Sequence, residues 1–285
     1  MLISETFQWW TLLCVVSVVN VLAWSGSALI FWRQKTTWHP HTWQLIRLQL
    51  LLSAGYVLGC AYRSVFPVFD IQRLCLVDSW MSSVMVGRSV ATVAEVCFAA
   101  QWGALLEHMA KVHNRPLAER HAGWIVPMIL VAEVCSWHAV LTTSNLGHVI
   151  EESIWGLSVA LLVFHVMGIA RDSQRQLKKI LYTVATVGAA YVVYMFTQDV
   201  PMYWSRWVQD ETMGRVYQDL PTGISDAATR WVVSHHWEDW KSEMVWMTLY
   251  FSVAVWLSIG LVHTLALHVR SRSRLNLQGV NLQRA

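Results

Sequence analysis

The sequence predicts an all-α integral membrane protein: a seven-transmembrane-helix bundle with the N-terminus outside and the C-terminus in the cytoplasm. Three observations predict this class: a weakly charged composition, seven apolar stretches, and a one-sided distribution of Lys and Arg. Of the 285 residues, 55% are hydrophobic and 14% are charged. Soluble domains carry about 25% charged residues. The composition therefore favours a polytopic membrane protein over a soluble one.

Each apolar stretch is close to the ~20 residues with which a helix crosses a bilayer. The predicted spans are residues 8–32, 44–62, 80–107, 123–143, 153–170, 180–198 and 244–268. Glu5 is the only charged residue before the first span. A cleaved signal peptide has a basic n-region, so none is expected. We predict one membrane domain, residues 1–270, followed by a polar cytoplasmic tail, residues 271–285.

The basic residues orient this bundle. One side of it collects Arg33, Lys35, Arg47, Lys111, Arg115, Arg120, Arg171, Arg175, Lys178, Lys179, Arg270, Arg272, Arg274 and Arg284. The other side collects Arg63, Arg73, Arg206, Arg215, Arg230 and Lys241. Cytoplasmic loops carry the excess of Lys and Arg, so the first side is predicted to be cytoplasmic. The outer surface is acidic and could dock a protein partner.

Two predicted outer loops, 62–79 and 199–243, are long for connections between helices, and loops of this length are usually functional. Ser225 or Ser234 could cap a short amphipathic helix leading into the last span. Cys60 and Cys75 lie on the outer side, where a disulfide between them is permitted. The chain is also tryptophan-rich, with 18 tryptophans. Most fall at span ends, as interfacial anchors do, and a cluster in the second loop could line an apolar pocket.

Two glutamates lie near the middle of apolar spans. Glu95 and Glu133 each stand in an Ala-Glu-Val-Cys sequence, in the third and fourth spans. An ionisable group at membrane depth is expensive and indicates function. If they face each other, they share a proton or a cation. Arg88 lies two turns from Glu95 on the same helical face, so these three residues are candidate catalytic groups. Protonated glutamates that only fix helix packing are the alternative.

A second set lies at the outer ends of the fourth and fifth spans. His148, Glu151 and Glu152 share one helical face, and His138 is near in sequence. Imidazole and carboxylate groups are ligands of zinc, iron and manganese. The alternative is structural, because Asn145 can cap the helix and the glutamates complement its N-terminal dipole.

A third set follows in the last outer loop. His235, His236, Glu238 and Asp239 have helical His–carboxylate spacing, which resembles metal ligands with their orienting partners. A solvated polar segment is the alternative. The second and third sets, with Asp70, Asp78 and Asp199, are all predicted on the outer side, which favours a histidine-rich metal site there.

A fourth set points to the inner side: His108, His165, His263 and His268. Two facing histidines in a bundle can hold haem b. Retinal is excluded because its Schiff base needs a lysine inside the bundle, and every lysine lies in a loop or at a span end. An inner basic face meets anionic lipid, so no nucleic acid partner is expected.

The leading functional hypothesis is a membrane-embedded, metal-dependent hydrolase or oxidoreductase at the outer face, acting on a lipid or another apolar substrate. The metal would be zinc, iron, copper or manganese. The alternatives are a proton-coupled transporter using Glu95 and Glu133, a non-catalytic membrane subunit or receptor, and a haem-b electron carrier. A plasma membrane or a bacterial inner membrane is the expected location.

Overall fold

The computed structural model describes residues 5–282, with side chains described for residues 5–270. Seven of the described helices are long and apolar enough to cross a membrane, which confirms the predicted helical bundle. They are α1 (Glu5–Arg33), α2 (Pro40–Val65), α3 (Val84–Val112), α4 (Pro116–Thr142), α5 (Asn145–Arg171), α6 (Arg175–Thr212) and α8, which begins at Trp237 and ends with the segment Val255–Leu282. The short helix α7 (Leu220–Thr229) lies between α6 and α8. Pro40 and Pro116 stand at the start of their helices, where the missing N–H breaks no helical bond.

Consecutive helices from α1 to α6 pack side by side, and α8 contacts α1, α2, α3 and α6. Because α3 also contacts α5, it lies at the centre of the bundle. Polar groups tie these helices together: Gln101 Nε2 on α3 donates to the Ser258 carbonyl at 2.8 Å, and Ser258 Oγ on α8 donates to Gln101 Oε1 at 2.7 Å. Such bonds hold helices in a lipid environment, where apolar burial contributes little to their association.

The two ends of the bundle differ. We call the end that carries segments 66–83 and 213–236 the loop end, and the opposite end, with its short connections, the basic end. At the loop end three short strands, β1 (Val68–Phe69), β2 (Leu74–Cys75) and β3 (Val232–Val233), form a sheet in the order β1-β2-β3. β1 and β2 are antiparallel, and β2 and β3 are parallel. The two long connections are therefore one structure, which the all-α prediction did not include.

Arg73 holds this sheet on the bundle. Its side chain is fully buried. Nε donates to Asp226 Oδ2 of α7 at 2.8 Å, Nη1 to the Asp70 carbonyl at 2.6 Å, and Nη2 to the Val140 carbonyl of α4 at 2.9 Å. A buried cation is tolerated when it is paired and hydrogen-bonded in this way. The loop end is thus joined to α4 and α7 at a defined position.

The bounds of three predicted elements need correction. α6 continues to Thr212, far beyond the predicted end at residue 198, and includes a π-helical turn, Met195–Asp199. α5 begins at Asn145, so residues 151 and 152 lie two turns inside it. The caps predicted at Ser225 and Ser234 are wrong: Asp219 caps α7 and accepts from the Thr222 N–H at 2.8 Å, while His236 precedes α8.

The predicted disulfide does not form. Cys60 and Cys75 are both free thiols, as are the other three cysteines. Cys75 lies in β2 and its Sγ donates to the Val77 carbonyl at 3.4 Å, whereas Cys60 lies on the buried face of α2. Burial raises the pKa of the Cys75 thiol, which keeps it protonated.

The predicted polar tail begins within the last helix. The helical backbone of α8 continues to Leu282, and residues 283–285 lie outside the described part of the chain.

Candidate functional site

Arg88 on α3 lies at the centre of a buried cluster of three carboxylates. Its Nη2 atom is 2.8 Å from Glu151 Oε1, 2.9 Å from Glu133 Oε2 and 3.5 Å from Glu95 Oε2. The four residues are 3–8% exposed. Three helices, α3, α4 and α5, thus direct their acidic groups to one guanidinium nitrogen. We call these four residues the Arg88 cluster.

Helix geometry explains how this cluster forms. Arg88, Thr92 and Glu95 follow at i, i+4 and i+7, so they share one face of α3. The neighbouring helices approach closely beside them. A Cβ at Gly147 of α5 would lie 2.4 Å from the Cys135 carbonyl of α4, so only glycine permits this approach. The close packing of α4 and α5 brings their two glutamates within reach of Arg88.

Four more side chains orient the cluster. Thr92 Oγ1 donates to Glu133 Oε2 at 2.5 Å, and Trp137 Nε1 donates to Thr92 Oγ1 at 3.0 Å. On the other sides, Tyr250 Oη of α8 donates to Glu95 Oε1 at 3.0 Å, and His148 Nδ1 donates to Glu151 Oε2 at 2.7 Å. Each glutamate therefore has its own hydrogen-bond donor besides Arg88, which fixes the direction of its carboxyl group.

The charges of the Arg88 cluster do not balance. Three ionised glutamates and one arginine leave two negative charges in excess. Buried charges persist only when they are paired, so the cluster needs two protons or further positive charge. Two of its buried atoms, Glu133 Oε1 and Arg88 Nε, also lack a hydrogen-bond partner among the described residues. Oxygen atoms of Glu95, Glu133 and Glu151 lie within 4.8 Å of one another, as ligands of one metal ion would.

The cluster forms the polar end of a cavity. This cavity has a volume of about 480 Å³, and Arg88, Glu95, His148 and Glu151 are among its lining residues. Below them the wall is apolar and includes Ile129, Leu162, Val166 and Ala185. Pockets of this size, apolar with a few polar groups at one end, are typical of small-molecule sites.

The side of the cavity between α6 and α8 is incompletely closed. Val187 of α6 and Val245, Leu249 and Val253 of α8 line the cavity and are 36–53% exposed. Nearer the loop end, the rings of Tyr194 and Trp246 stack with centroids 5.9 Å apart. Both helices have a π-helical turn beside this seam, Met195–Asp199 in α6 and Tyr250–Ala254 in α8. π-helical turns occur frequently at functional sites.

A second cavity, of about 540 Å³, lies nearer the basic end between α1, α6 and α8. Val184 and Leu257 line both cavities. These two apolar side chains therefore stand between the cavity of the Arg88 cluster and the one at the basic end. The wall of the second cavity also includes His263 and Arg270.

The predicted candidates divide into two groups. Arg88, Glu95, Glu133 and Glu151 form the cluster, and His148 contacts it through Glu151. Glu152 lines the cavity beside the cluster. The other predicted metal ligands lie elsewhere. His138 is exposed on α4, and His235 contacts the Leu76 carbonyl at 3.0 Å. His236 precedes α8, Glu238 pairs with Lys241, and Asp239 accepts from Ser234 Oγ. The predicted histidine-rich site is therefore wrong as a histidine cluster, since the convergent groups are mostly glutamates.

The inner histidines lie in separate places: one pair, one group of three and one beside a serine. His165 shares a hydrogen bond of 2.8 Å with His121, and the rings of His108 and His113 lie 5.7 and 5.5 Å from that of His268. His263 contacts Ser27 Oγ at 3.0 Å. His121 and His113 were not among the predicted residues, because single-sequence spacing does not reveal partners on other helices.

Several residues around the cluster have no clear sequence signal. Tyr250 reaches Glu95 only because α8 packs against α3, and Asp199 and Glu243 become buried only because α6 extends past its predicted end. Thr92 could have been found, since it lies one turn from Arg88 on the same face. Tryptophans of the second predicted loop do not line the cavity, whereas Trp102, Trp155 and Trp246 do.

Comparisons of the chain with models of known protein families, with curated proteins and with solved structures find no match.

Proposed function

We propose that this protein is a membrane-embedded, metal-dependent enzyme that acts on a lipid or another apolar molecule, with the Arg88 cluster as its catalytic centre. One observation carries the proposal: three buried carboxylates converge at the polar end of an apolar cavity of about 480 Å³. An apolar wall would hold a hydrocarbon chain, and the buried acidic end would hold the group that reacts.

A divalent metal ion would solve the charge problem of the cluster. Its two positive charges would offset the two negative charges left by three glutamates and one arginine. Glu95, Glu133 and Glu151 would supply oxygen ligands, and His148 would orient Glu151 through its hydrogen bond. Such a set of hard oxygens suits manganese, iron or zinc better than copper.

Arg88 constrains how the metal would bind. Its Nη2 atom now lies where the three carboxylates converge. The guanidinium would therefore withdraw along its own flexible chain while keeping one carboxylate as partner. There Arg88 would polarise a substrate carbonyl or phosphoryl oxygen, and the metal would activate water for hydrolysis or oxygen for oxidation. His148, already hydrogen-bonded to Glu151, would carry the proton.

The membrane location is part of the proposal. The excess of Lys and Arg at the basic end favours a cytoplasmic position for that end. The loop end would then face the periplasm or the extracellular space, in a bacterial inner membrane or a plasma membrane. The incompletely closed seam between α6 and α8 would admit substrate directly from the lipid bilayer.

Metal analysis of purified protein tests the proposal. We expect about one manganese, iron or zinc per chain in wild-type protein purified without chelators. Glu133→Gln and Glu151→Gln should lower the metal affinity by roughly 10- to 100-fold, as loss of a ligand or its support does. Glu238→Gln is the matched control, because this exposed glutamate pairs with Lys241 outside the cluster. Wild-type protein that neither contains nor binds a divalent metal would exclude the metal site.

A conversion assay tests the enzymatic part. The protein is placed in nanodiscs with a total lipid extract, and the lipids are compared by mass spectrometry before and after incubation. We expect a lipid whose amount falls with wild-type protein and with Glu238→Gln, but not with Glu151→Gln. Equal lipid profiles in the presence of all three proteins and added metal would contradict an enzyme of this kind.

Proton-coupled transport is the second candidate function. One observation favours it: Val184 and Leu257 line both the cavity of the Arg88 cluster and the second cavity nearer the basic end, so the two cavities meet at these side chains. In this case two of the carboxylates would carry protons in place of a metal. Proteoliposomes loaded with a pH dye would then show substrate-dependent proton uptake that Glu95→Gln abolishes, whereas an enzyme would show none.

A further inference from the structure

A second acidic group lies beside the Arg88 cluster. It consists of Glu152 on α5, Asp199 on α6 and Glu243 on α8. Glu152 and Glu243 line the cavity, and Asp199 interacts electrostatically with Glu243 and His148. Asp199 is 7% exposed and Glu243 is 8% exposed. Glu152 and Glu243 thus lie in the cavity wall next to the reactive end, and Asp199 lies near enough to interact with Glu243.

These carboxylates have few direct partners; Asp199 and Glu243 are buried and Glu152 is half-buried. In the part of the chain whose side chains are described, Glu152 and Asp199 form no hydrogen bond or ion pair, and Glu243 accepts only from Ser242 Oγ of its own helix, at 3.5 Å. Arg206 interacts electrostatically with Asp199 and Glu243, His148 interacts with the same two groups, and Arg88 interacts with Glu152. The Arg206 guanidinium lies over the Tyr203 ring at 5.5 Å. Because Arg88 already faces the three carboxylates of its own cluster, the three further carboxylates in ionised form leave the region negative, and an uncharged or anionic ligand would not balance it.

A single metal ion does not fit this group. Among the described side chains, the convergent set within metal-ligand distance is Glu95, Glu133 and Glu151, and it includes none of these three carboxylates. Carboxylates that are spread apart suit a larger cation whose charge is surrounded by several hydrogen-bond donors. An alkyl ammonium group has that size and offers up to three N–H donors.

Aromatic rings complete the surroundings. Tyr191, Tyr194, Tyr203 and Trp246 line the cavity at this level, and the Tyr203 ring lies 4.9 Å from that of His148. Faces of tyrosine and tryptophan attract organic cations, and the attraction is stronger when the site is desolvated. The combination of buried carboxylates and aromatic rings favours an amine over a hydrated inorganic ion.

We propose that Glu152, Asp199 and Glu243 form the subsite for a protonated amine in the head group of a single-chain lipid, which is the substrate of the proposed enzyme. The inference rests on the proposed function, because it takes the cavity as the substrate site. The hydrocarbon chain lies in the apolar part beside Leu162, Val166 and Ala185. A cavity of about 480 Å³ accommodates one chain with a small head group.

Binding of three probes with one chain length tests this subsite. Hexadecylamine, hexadecanol and hexadecyl phosphate are titrated into the purified protein in nanodiscs, and binding is followed by native mass spectrometry. At neutral pH the amine is protonated, because alkyl amines have a pKa near that of lysine, about 10.4. We expect the amine to bind at least tenfold more tightly than the alcohol, and the phosphate to bind most weakly.

Charge variants show whether the carboxylates cause this preference. Asp199→Asn and Glu243→Gln should each reduce amine affinity by about tenfold and leave hexadecanol affinity unchanged, whereas Glu238→Gln should change neither. Arg206→Gln removes a positive charge that interacts with Asp199 and Glu243, and it should increase amine affinity. This gain cannot result from misfolding.

The outcomes separate the two proposals. Equal binding of amine and alcohol, or an amine affinity unchanged by Arg206→Gln, overturns the amine subsite. Metal content and lipid conversion remain separate tests of the proposed enzyme. Binding of none of the three probes contradicts both the subsite and the cavity as substrate site. Tight amine binding without metal or conversion supports the subsite and contradicts the enzyme.

Discussion

At the scale of single residues, Arg88 holds the three glutamates of the site together. Three buried glutamates without a cation would repel one another, and one of its nitrogen atoms contacts all three. The sequence placed Glu95, Glu133 and Arg88 together, since two of them share a face of α3. It did not reveal Glu151 as the third carboxylate, because that depends on how α5 packs against α3.

Replacement of Arg88 should destabilise the fold. In Arg88→Gln the carboxylates lose their common partner, and breaking a buried ion pair costs about 3–5 kcal/mol. We expect a marked fall in unfolding temperature, measured in detergent with chelator present, and partial recovery when a divalent metal is added. Arg230→Gln is the control, because Arg230 is 55% exposed in its pair with Asp226. Equal stability of Arg88→Gln and wild type would show that the glutamates are protonated.

Thr92 should contribute to stability through the two hydrogen bonds of its hydroxyl group. Thr92→Val keeps the shape but removes the donor to Glu133 and the acceptor of Trp137. Hydrogen bonds to charged groups contribute about 1.5–3 kcal/mol, so we expect a loss of that size in the free energy of unfolding.

Thr186→Val is the comparison for Thr92→Val, because the exposed Thr186 hydroxyl only donates to the Tyr182 carbonyl of its own helix. If both substitutions change chemical unfolding equally, Thr92 has no special role at Glu133.

At the scale of elements, the spacing between α4 and α5 sets the spacing of the carboxylates. Glycine at position 147 permits the contact, since a Cβ there would also lie 2.7 Å from Ala139 Cβ. Hydropathy predicts that two helices exist, but the closest approach between them depends on small residues whose partners are distant in sequence.

Gly147→Ala should push α4 and α5 apart. Overpacking of this kind costs about 1–3 kcal/mol, and we expect lower stability together with weaker metal binding by the Arg88 cluster. Gly123→Ala on α4 is the matched control, because a Cβ there meets nothing within 4 Å and alanine favours the helix. Metal binding and thermal unfolding of both variants check the expectation. Unchanged metal affinity in Gly147→Ala would contradict the link between helix spacing and the site.

At the scale of the whole molecule, the two ends of the bundle differ in charge and in structure. Short connections and many basic residues lie at one end, while the sheet and α7 lie at the other. The proposed orientation follows from the distribution of Lys and Arg, a property of the sequence. The shape of the loop end follows from Arg73 and from strand pairing, which join segments more than 150 residues apart.

Cysteine labelling tests the orientation. In a background with the five native cysteines replaced, Lys241→Cys at the loop end and Lys35→Cys at the basic end are compared; both lysines are exposed. A membrane-impermeant maleimide applied to intact cells should label the first and leave the second unlabelled until the membrane is opened. The reverse pattern would invert the proposed topology.

The sequence by itself determined the seven helices, the helical face shared by Arg88 and Glu95, and the residues from which a site could be built. Hydropathy and helical period are local properties, so a single chain carries them. The tertiary structure alone decided that Glu95, Glu133 and Glu151 meet at one arginine, that Tyr250 joins them, and that Cys60 and Cys75 stay apart. These depend on the rotation and spacing of helices distant in sequence, which are set by packing of the whole bundle.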